Sequence, residues 1–222
     1  MRLFILLLGW LLPHSLRKAL YAKAFGWKLA KTSRLGRSLI FCKNVSLGED
    51  ASIGSLNVGR YIDFLIVQDY SDIGSLNWIT GFPTTGETPF PEVENRRCGL
   101  ELGPHSSIIS RHFIDCTGGV TIGAFSTIAG LRSQILTHSI DIYSSHQTCQ
   151  PISIGDYCFV GTGSILLPGS GLPNYSILGA GSVLTQKQNQ EYALYAGSPA
   201  TMKKDLSQVE VQYFTRTIGR VW

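Results

Sequence analysis

Charge is scarce in this 222-residue chain. Asp, Glu, Lys and Arg together make up 15 %, well below the roughly 25 % of an average soluble protein. With 24 glycines as well, a coiled coil is excluded. Long apolar runs are also missing. Residues 3–12 (LFILLLGWLL) are apolar for ten positions, where a helix crossing a bilayer needs about 20. Cysteine is sparse and unpatterned: the five residues at 42, 98, 116, 149 and 158 form no C-x-x-C pair. That excludes a zinc ribbon or a disulfide framework, and free thiols fit a reducing, cytoplasmic compartment. Acidic residues are absent until Glu49, so residues 1–43 carry +9 and the remainder carries −5. An acidic main fold lacks the basic stripe that nucleic acid requires, so no nucleic-acid partner is expected.

What is present begins with 44 % hydrophobic residues. That is enough to bury a sizeable core, and the length favours one domain. Arg17 and Lys18 stand between the apolar run and the poor cleavage site Ala22-Lys23-Ala24, which argues against a removed signal. Residues 14–30 are expected to be helical after Pro13, with Leu16, Leu20, Ala24 and Trp27 on one face and Lys23 snorkelling. The segment 1–40 then has two readings. It caps the main fold, or residues 1–30 hold anionic lipid at the inner face of the cytoplasmic membrane.

From Leu47 the chain repeats. In 154–185 the leading residues Ile154, Val160, Leu166, Leu172, Leu178 and Leu184 recur every six without a slip. The fifth positions are small: Cys158, Ser164, Ser170, Ser176 and Ser182. A second array starts at Leu102, slips by two and resumes at Ile122. A third, weaker one contains LGEDAS, IGSLN and VGRYID from Leu47, and IGSLNW from Ile73. Period six is neither helical nor a long alternating strand. It means short segments joined by tight corners, each pointing one aliphatic inward, with Gly or a small residue at the corner. Such segments bury their aliphatic residue only by stacking, so an all-β solenoid is expected. Residues 80–99, with three prolines, read as a loop leaving the coil, and residues 138–151 interrupt the register again. Residues 205–222 hold no hexad and read as a C-terminal helix.

These motifs resemble the hexapeptide-repeat acyltransferases. The resemblance covers about 47–204. It is most specific at PISIGDYCFVGTGSILLPG, SILGAGSVLTQ and YAGSPATMKK, the last being similar to the A-G-x-P-A element of sugar O-acetyltransferases. It implies a left-handed parallel β-helix over 41–204, three-sided coils, a homotrimer and acetyl-CoA as co-substrate without a metal. The acceptor it implies is a sugar hydroxyl of a polysaccharide or its lipid-linked precursor.

The same resemblance marks site residues. ILTHSID is similar to the family's catalytic stretch, so His138 is expected to take the acceptor's proton as the hydroxyl attacks the thioester. A base with pKa near 7 suits that task. Asp115 replaces a family Asn. It either orients the imidazole or hydrogen-bonds the sugar, and a plain corner role is the third reading. His112, Asp141 and His146 are candidates on the acceptor side. Thr162, Gly179, Ala180 and Gly181 fall where pantetheine is contacted. Thr185-Gln186 stands where the family commonly has Thr-Lys, so Lys187, Lys203 or Lys204 is expected to meet phosphate instead. The zinc-dependent carbonic anhydrases on this fold need two His five residues apart, a spacing that His14, His105, His112, His138 and His146 do not provide. Another acceptor, such as an amino sugar nucleotide or serine, and a non-catalytic trimeric scaffold remain as alternatives.

Overall fold

The computed structural model describes residues 1–85, 89–90 and 93–219. Its body is a mostly parallel sheet, nearly closed on itself, of short strands stacked coil on coil. Each coil crosses three rows. The first stacks Leu29, Leu47, Val67, Leu102, Ile122, Ile154 and Leu172 in register. The second runs from Leu35 through Ile53, Ile73, Ile108, Ile128, Val160 and Leu178 to Tyr195. The third runs from Ile40 through Gly59, Ile79, Ile114, Ile135 and Leu166 to Leu184. Nearly all of these residues are buried in one continuous core. Six residues make one short strand and one corner, so each inward aliphatic lands on its counterpart in the coil beneath. Val58 leads its hexad in sequence but is only half-buried. Gly59 takes the inward position, and Ile40 lies 3.2 Å from where a Cβ on it would stand.

One corner departs from the expectation of small residues. Between the first and second rows, Tyr70, His105, Phe125, Tyr157, Tyr175 and Tyr192 all have φ between +52° and +59°. Their rings form a ladder with centroids 4.6–5.2 Å apart, close to the strand spacing of about 4.8 Å. A left-handed backbone costs a non-glycine residue roughly 1–2 kcal/mol. Each ring pair returns about 0.5–1.5 kcal/mol beyond its buried area. A residue stacked on both sides therefore tolerates a conformation that favours glycine.

The coils start earlier than residue 41, because Lys28–Leu29 and Arg34–Leu35 already pair with the next coil. Helix α1 (Arg2–Leu11) and helix α2 (His14–Phe25) cap them. The helix expected to reach residue 30 stops at Gly26, whose φ is +70°. Its packed face also differs: Arg17 and Tyr21 are buried, while Leu16 is exposed. The cause is α1, which folds back over Tyr21. The Tyr21 hydroxyl donates to the Leu6 carbonyl at 2.8 Å, and any side chain at Gly9 would collide with the Tyr21 ring.

At the other end Ala200–Asp205 returns antiparallel to Ala193–Gly197. The chain then descends the aromatic ladder. Phe214 meets Tyr175 and Tyr192 edge-on, and Arg216 donates to the Phe125 carbonyl. In place of the expected C-terminal helix, the described tail holds one 3-10 turn, Gln212–Phe214. A path that crosses successive coils about 4.8 Å apart needs an extended backbone, since a helix advances only ~1.5 Å per residue. Residues 220–222 of that expected helix, and residues 86–88 and 91–92 of the expected 80–99 loop, lie outside the described residues. All five cysteines are free and buried, and burial pushes the Cys42, Cys98 and Cys158 thiols up to about 12.

The ladder yields a direct test. Tyr157→Gly relieves the backbone but removes two ring contacts, so it should destabilise the protein by about 1–3 kcal/mol in urea unfolding. A gain in stability would mean that backbone strain, not stacking, dominates this corner.

Candidate active site

Both register breaks leave the coils at the corner joining the third row to the first. Residues 81–98 lie between strands Trp78–Thr80 and Gly99–Leu102, and residues 136–151 between Gln134–Ile135 and Ile152–Ile154. The intervening coil turns this corner tightly at residues 115–119, so that turn is held between the two insertions. The second insertion is an antiparallel hairpin pairing His138–Asp141 with His146–Cys149.

Asp115 ends the intervening strand and is 1 % exposed. Its Oδ1 accepts from the Thr117 N–H at 3.1 Å and the Thr117 hydroxyl at 2.6 Å. Its Oδ2 accepts from the Thr137 N–H at 2.8 Å and the His138 N–H at 3.0 Å. The Thr137 hydroxyl, accepting from the Gly118 N–H at 2.9 Å, lies 2.8 Å from the same oxygen. His138 Nδ1 completes the set at 2.7 Å. Burial alone would push the Asp115 carboxyl up. Hydrogen bonds from His138, Thr117 and Thr137 together outweigh it and hold the group at about 2. The carboxylate therefore has no proton to give, and Nδ1 is the donor. The neutral imidazole then carries its lone pair on Nε2. The hydrogen bond that His138 donates to Asp115 raises the His138 pKa against an opposing push from burial.

The first insertion closes over this pair. Phe82 and Phe90 meet the imidazole edge-on, with ring centroids 5.6 Å and 6.1 Å away. Arg96 lies over Phe90 at 5.0 Å. It donates to the carbonyls of Phe82, Pro83 at 2.8 Å and Thr117 at 3.0 Å. Thr117, Thr137, Phe82, Phe90 and Arg96 are site residues that sequence reasoning did not name. A signal was available: both interruptions follow the third hexad of a coil, so both leave by one corner. Beside them a cavity of about 280 Å³ is lined by Val93, Arg96, Arg97, Gly118, Gly119 and Cys149 among others. A groove of about 760 Å³ lies elsewhere, on the second row by Tyr70, His105 and Ile218.

The other acceptor-side candidates do not join His138. His112 sits at a different corner, between the second and third rows, and is 2 % exposed. It belongs to an internal ladder: its N–H donates to Asn77 Oδ1 at 2.9 Å, and its Nδ1 accepts from the Ser133 N–H at 3.1 Å. Burial lowers its pKa to about 4. Asp141 and His146 pair at the far end of the hairpin. There Asp141 accepts from the Tyr143 N–H at 2.8 Å, capping the turn.

The cofactor candidates divide. Thr162 and Ala180 stack at the corner between the second and third rows, where the Gly181 N–H donates to the Thr162 carbonyl at 2.9 Å. A Cβ added at Gly163 or Gly181 would meet nothing within 4 Å, so the backbone there is openly approachable. Gly179 abuts Ala196 of the next coil, and Lys203 Nζ lies 3.9 Å from where a Cβ on Gly197 would stand. Lys203 therefore continues that column, with Lys204 next to it on the same strand. Thr185 and Lys187 sit one row further on, Lys187 bridging to Gly171. Among the described residues, no three His, Cys, Asp or Glu side chains form a metal-binding group.

The polysialic acid O-acetyltransferase OatWY shares this architecture with a TM-score of 0.61, covering 81 % of this chain and 84 % of its own, at 17 % identity. The fold is that of hexapeptide-repeat acetyltransferases. One from Vibrio cholerae has a TM-score of 0.50, 92 % and 88 % coverage and 18 % identity. A mutant of AntD, an N-acyltransferase from Bacillus cereus solved with dTDP and coenzyme A, has a TM-score of 0.50, 86 % and 89 % coverage and 14 % identity. No protein-family model matches the sequence, and no curated relative does either.

The Asp115–His138 bond contributes to the pH dependence of stability at both ends of the range. Asp115 is depressed, so its contribution is complete above the unfolded carboxyl pKa of 3.8 and fades as pH falls towards about 2. His138 is raised, so its contribution is complete below its unfolded value of 6.5 and fades as pH rises through the folded value. Asp115→Asn should lower the His138 titration midpoint, read by imidazole NMR. An unchanged midpoint would show that the carboxylate does not set it.

Proposed function

We propose that this protein is an acetyl-CoA-dependent O-acetyltransferase acting on a sugar hydroxyl of a polysaccharide or its lipid-linked precursor. The observation that carries the reading is the 2.7 Å contact between Asp115 and His138 Nδ1. It leaves Nε2 as the basic atom at the corner where two insertions meet. His138 removes the acceptor hydroxyl proton as that oxygen forms its bond to the thioester carbon. The same imidazolium returns the proton to sulfur as the carbon–sulfur bond breaks, giving an O-acetyl sugar and CoA. Asp115 holds the tautomer and stabilises the imidazolium. Being buried and filled with protein donors, it serves the base and not the sugar. Phe82 and Phe90 exclude water from one side of the imidazole.

The open column from Thr162 through Gly179, Ala180 and Gly181 to Lys203 suits a pantetheine arm ending at a phosphate. Lys203 fits that end better than Lys187, which stands a row away. The Vibrio cholerae acetyltransferase of this fold was crystallised with acetyl coenzyme A, and the OatWY likeness favours an O-acetyl acceptor over the amine suggested by AntD. His138 and Thr162 lie on opposite edges of the third row, about 15 Å apart at ~3.3 Å per residue. A homotrimer of left-handed β-helices would bring the Thr162 edge of one copy against His138 of the next. The site would then be shared between copies.

His138→Ala should keep the fold and lower kcat by about 10²–10⁴ in acceptor-dependent CoA release. For the wild type, kcat/KM should rise with pH through the raised His138 pKa, because only the neutral imidazole accepts a proton. An active His138→Ala enzyme would place the base elsewhere. Co-expressing His138→Ala with Ala180→Trp chains should restore a fraction of the activity, since some mixed sites are intact. No recovery in verified mixed oligomers would mean that each chain holds a complete site.

A further inference from the structure

One face of α1 is apolar and uncovered. Leu3, Phe4, Leu7, Leu8 and Leu11 are between 42 % and 78 % exposed, and their spacing makes one helical stripe. The opposite side, Leu6 and Gly9, is sealed against Tyr21, so the stripe cannot turn inward. Of the apolar face expected over residues 14–30, Leu16 and Ala24 are exposed, Leu20 is half-buried and Trp27 is buried.

The charge within residues 1–43 has one sign, and the first acid, Glu49, acts on Lys18 from the next coil. Residues 1–43 hold nine Lys and Arg and no acid, and Lys23, Lys28, Lys31, Arg34 and Lys43 are exposed. Arg17 is 5 % exposed, and its Nε and Nη1 have no acceptor. Arg37, whose charge acts on Arg17, donates to the Trp10 carbonyl at 3.0 Å. The Trp10 indole N–H in turn lacks an acceptor. A symmetric contact with a second copy would double this uncompensated charge. An anionic surface neutralises it.

We propose that the α1–α2 cap docks on anionic phospholipid, with α1 lying flat in the interface. Ten residues of helix span only about 15 Å, half of a hydrocarbon core of ~30 Å. No described helix is long and apolar enough to cross a membrane. The apolar stripe enters the headgroup boundary while the basic residues meet lipid phosphate. This inference stands independently of the acyl-transfer reading.

The test is sedimentation of the full chain with phosphatidylcholine vesicles, with and without about one-third phosphatidylglycerol. Binding should be at least about tenfold stronger to the anionic vesicles and weaken with salt. Leu7→Glu with Leu11→Glu changes only exposed positions. Its fold, checked by circular dichroism, should persist while binding drops by at least about tenfold. Three results would overturn the proposal: no binding to anionic vesicles, equal binding to neutral ones, or full binding by the folded variant. A fall in the variant's oligomeric mass by light scattering, with vesicle binding intact, would also overturn it and make the stripe a contact between copies.

Discussion

The structure depends on one constraint: each coil must set its inward aliphatic residues over those of the coil beneath. The three columns ending at Leu172, Tyr195 and Leu184 keep this register from coil to coil, with Gly59 standing in for an aliphatic residue in the third. A segment that does not fit the period cannot be absorbed inside the stack, where it would open a gap in the core and break parallel pairing. It must leave at a corner. Two such segments leave at one corner, and the space between them is where the Asp115–His138 pair forms. The regular part of the fold therefore positions the chemistry by excluding the irregular part.

The same stacking explains the polar interior. Asp115 is buried, yet Thr117, Thr137 and His138 give its oxygens a full set of donors. A buried carboxylate is tolerable only with such a set. Here it keeps the negative charge fixed beside the imidazole of His138. His112, equally buried and with no carboxylate beside it, is driven to the neutral form by burial. Two histidines of one chain thus acquire opposite tendencies, one from burial and the other from a carboxylate partner.

The two ends of the stack are closed by different means. At the carboxyl end the tail lays Phe214 and Arg216 along the aromatic ladder, tying several coils together. At the amino end, helices cover the first coil with Tyr21, Phe25 and Trp27 in mutual ring contact. That cap leaves apolar and basic surface facing outward, which sets it apart from the acidic body.

Much of the body was legible in the sequence. The leading hexad residues from Ile154 to Leu184 occupy the inward columns, because a strict period can be satisfied in only one way. His138 stood out as a candidate through the likeness of ILTHSID to a family catalytic stretch and its place at a register break. Its partner Asp115 was visible as a candidate with its role open, since one carboxylate reads alike at a corner, beside a base or against a sugar. Thr117, Thr137, Phe82, Phe90 and Arg96 were not legible as site residues. Their roles depend on which coil lies above or below them, and no local pattern encodes that. The aromatic corner escaped for a related reason: a tyrosine with positive φ looks unfavourable alone and becomes favourable when rings from neighbouring coils stack on it. The sequence alone determined the repeating coil, through hydrophobic periodicity. Only the tertiary structure decided which side chains meet at the corner, because those contacts are made between residues a full coil apart.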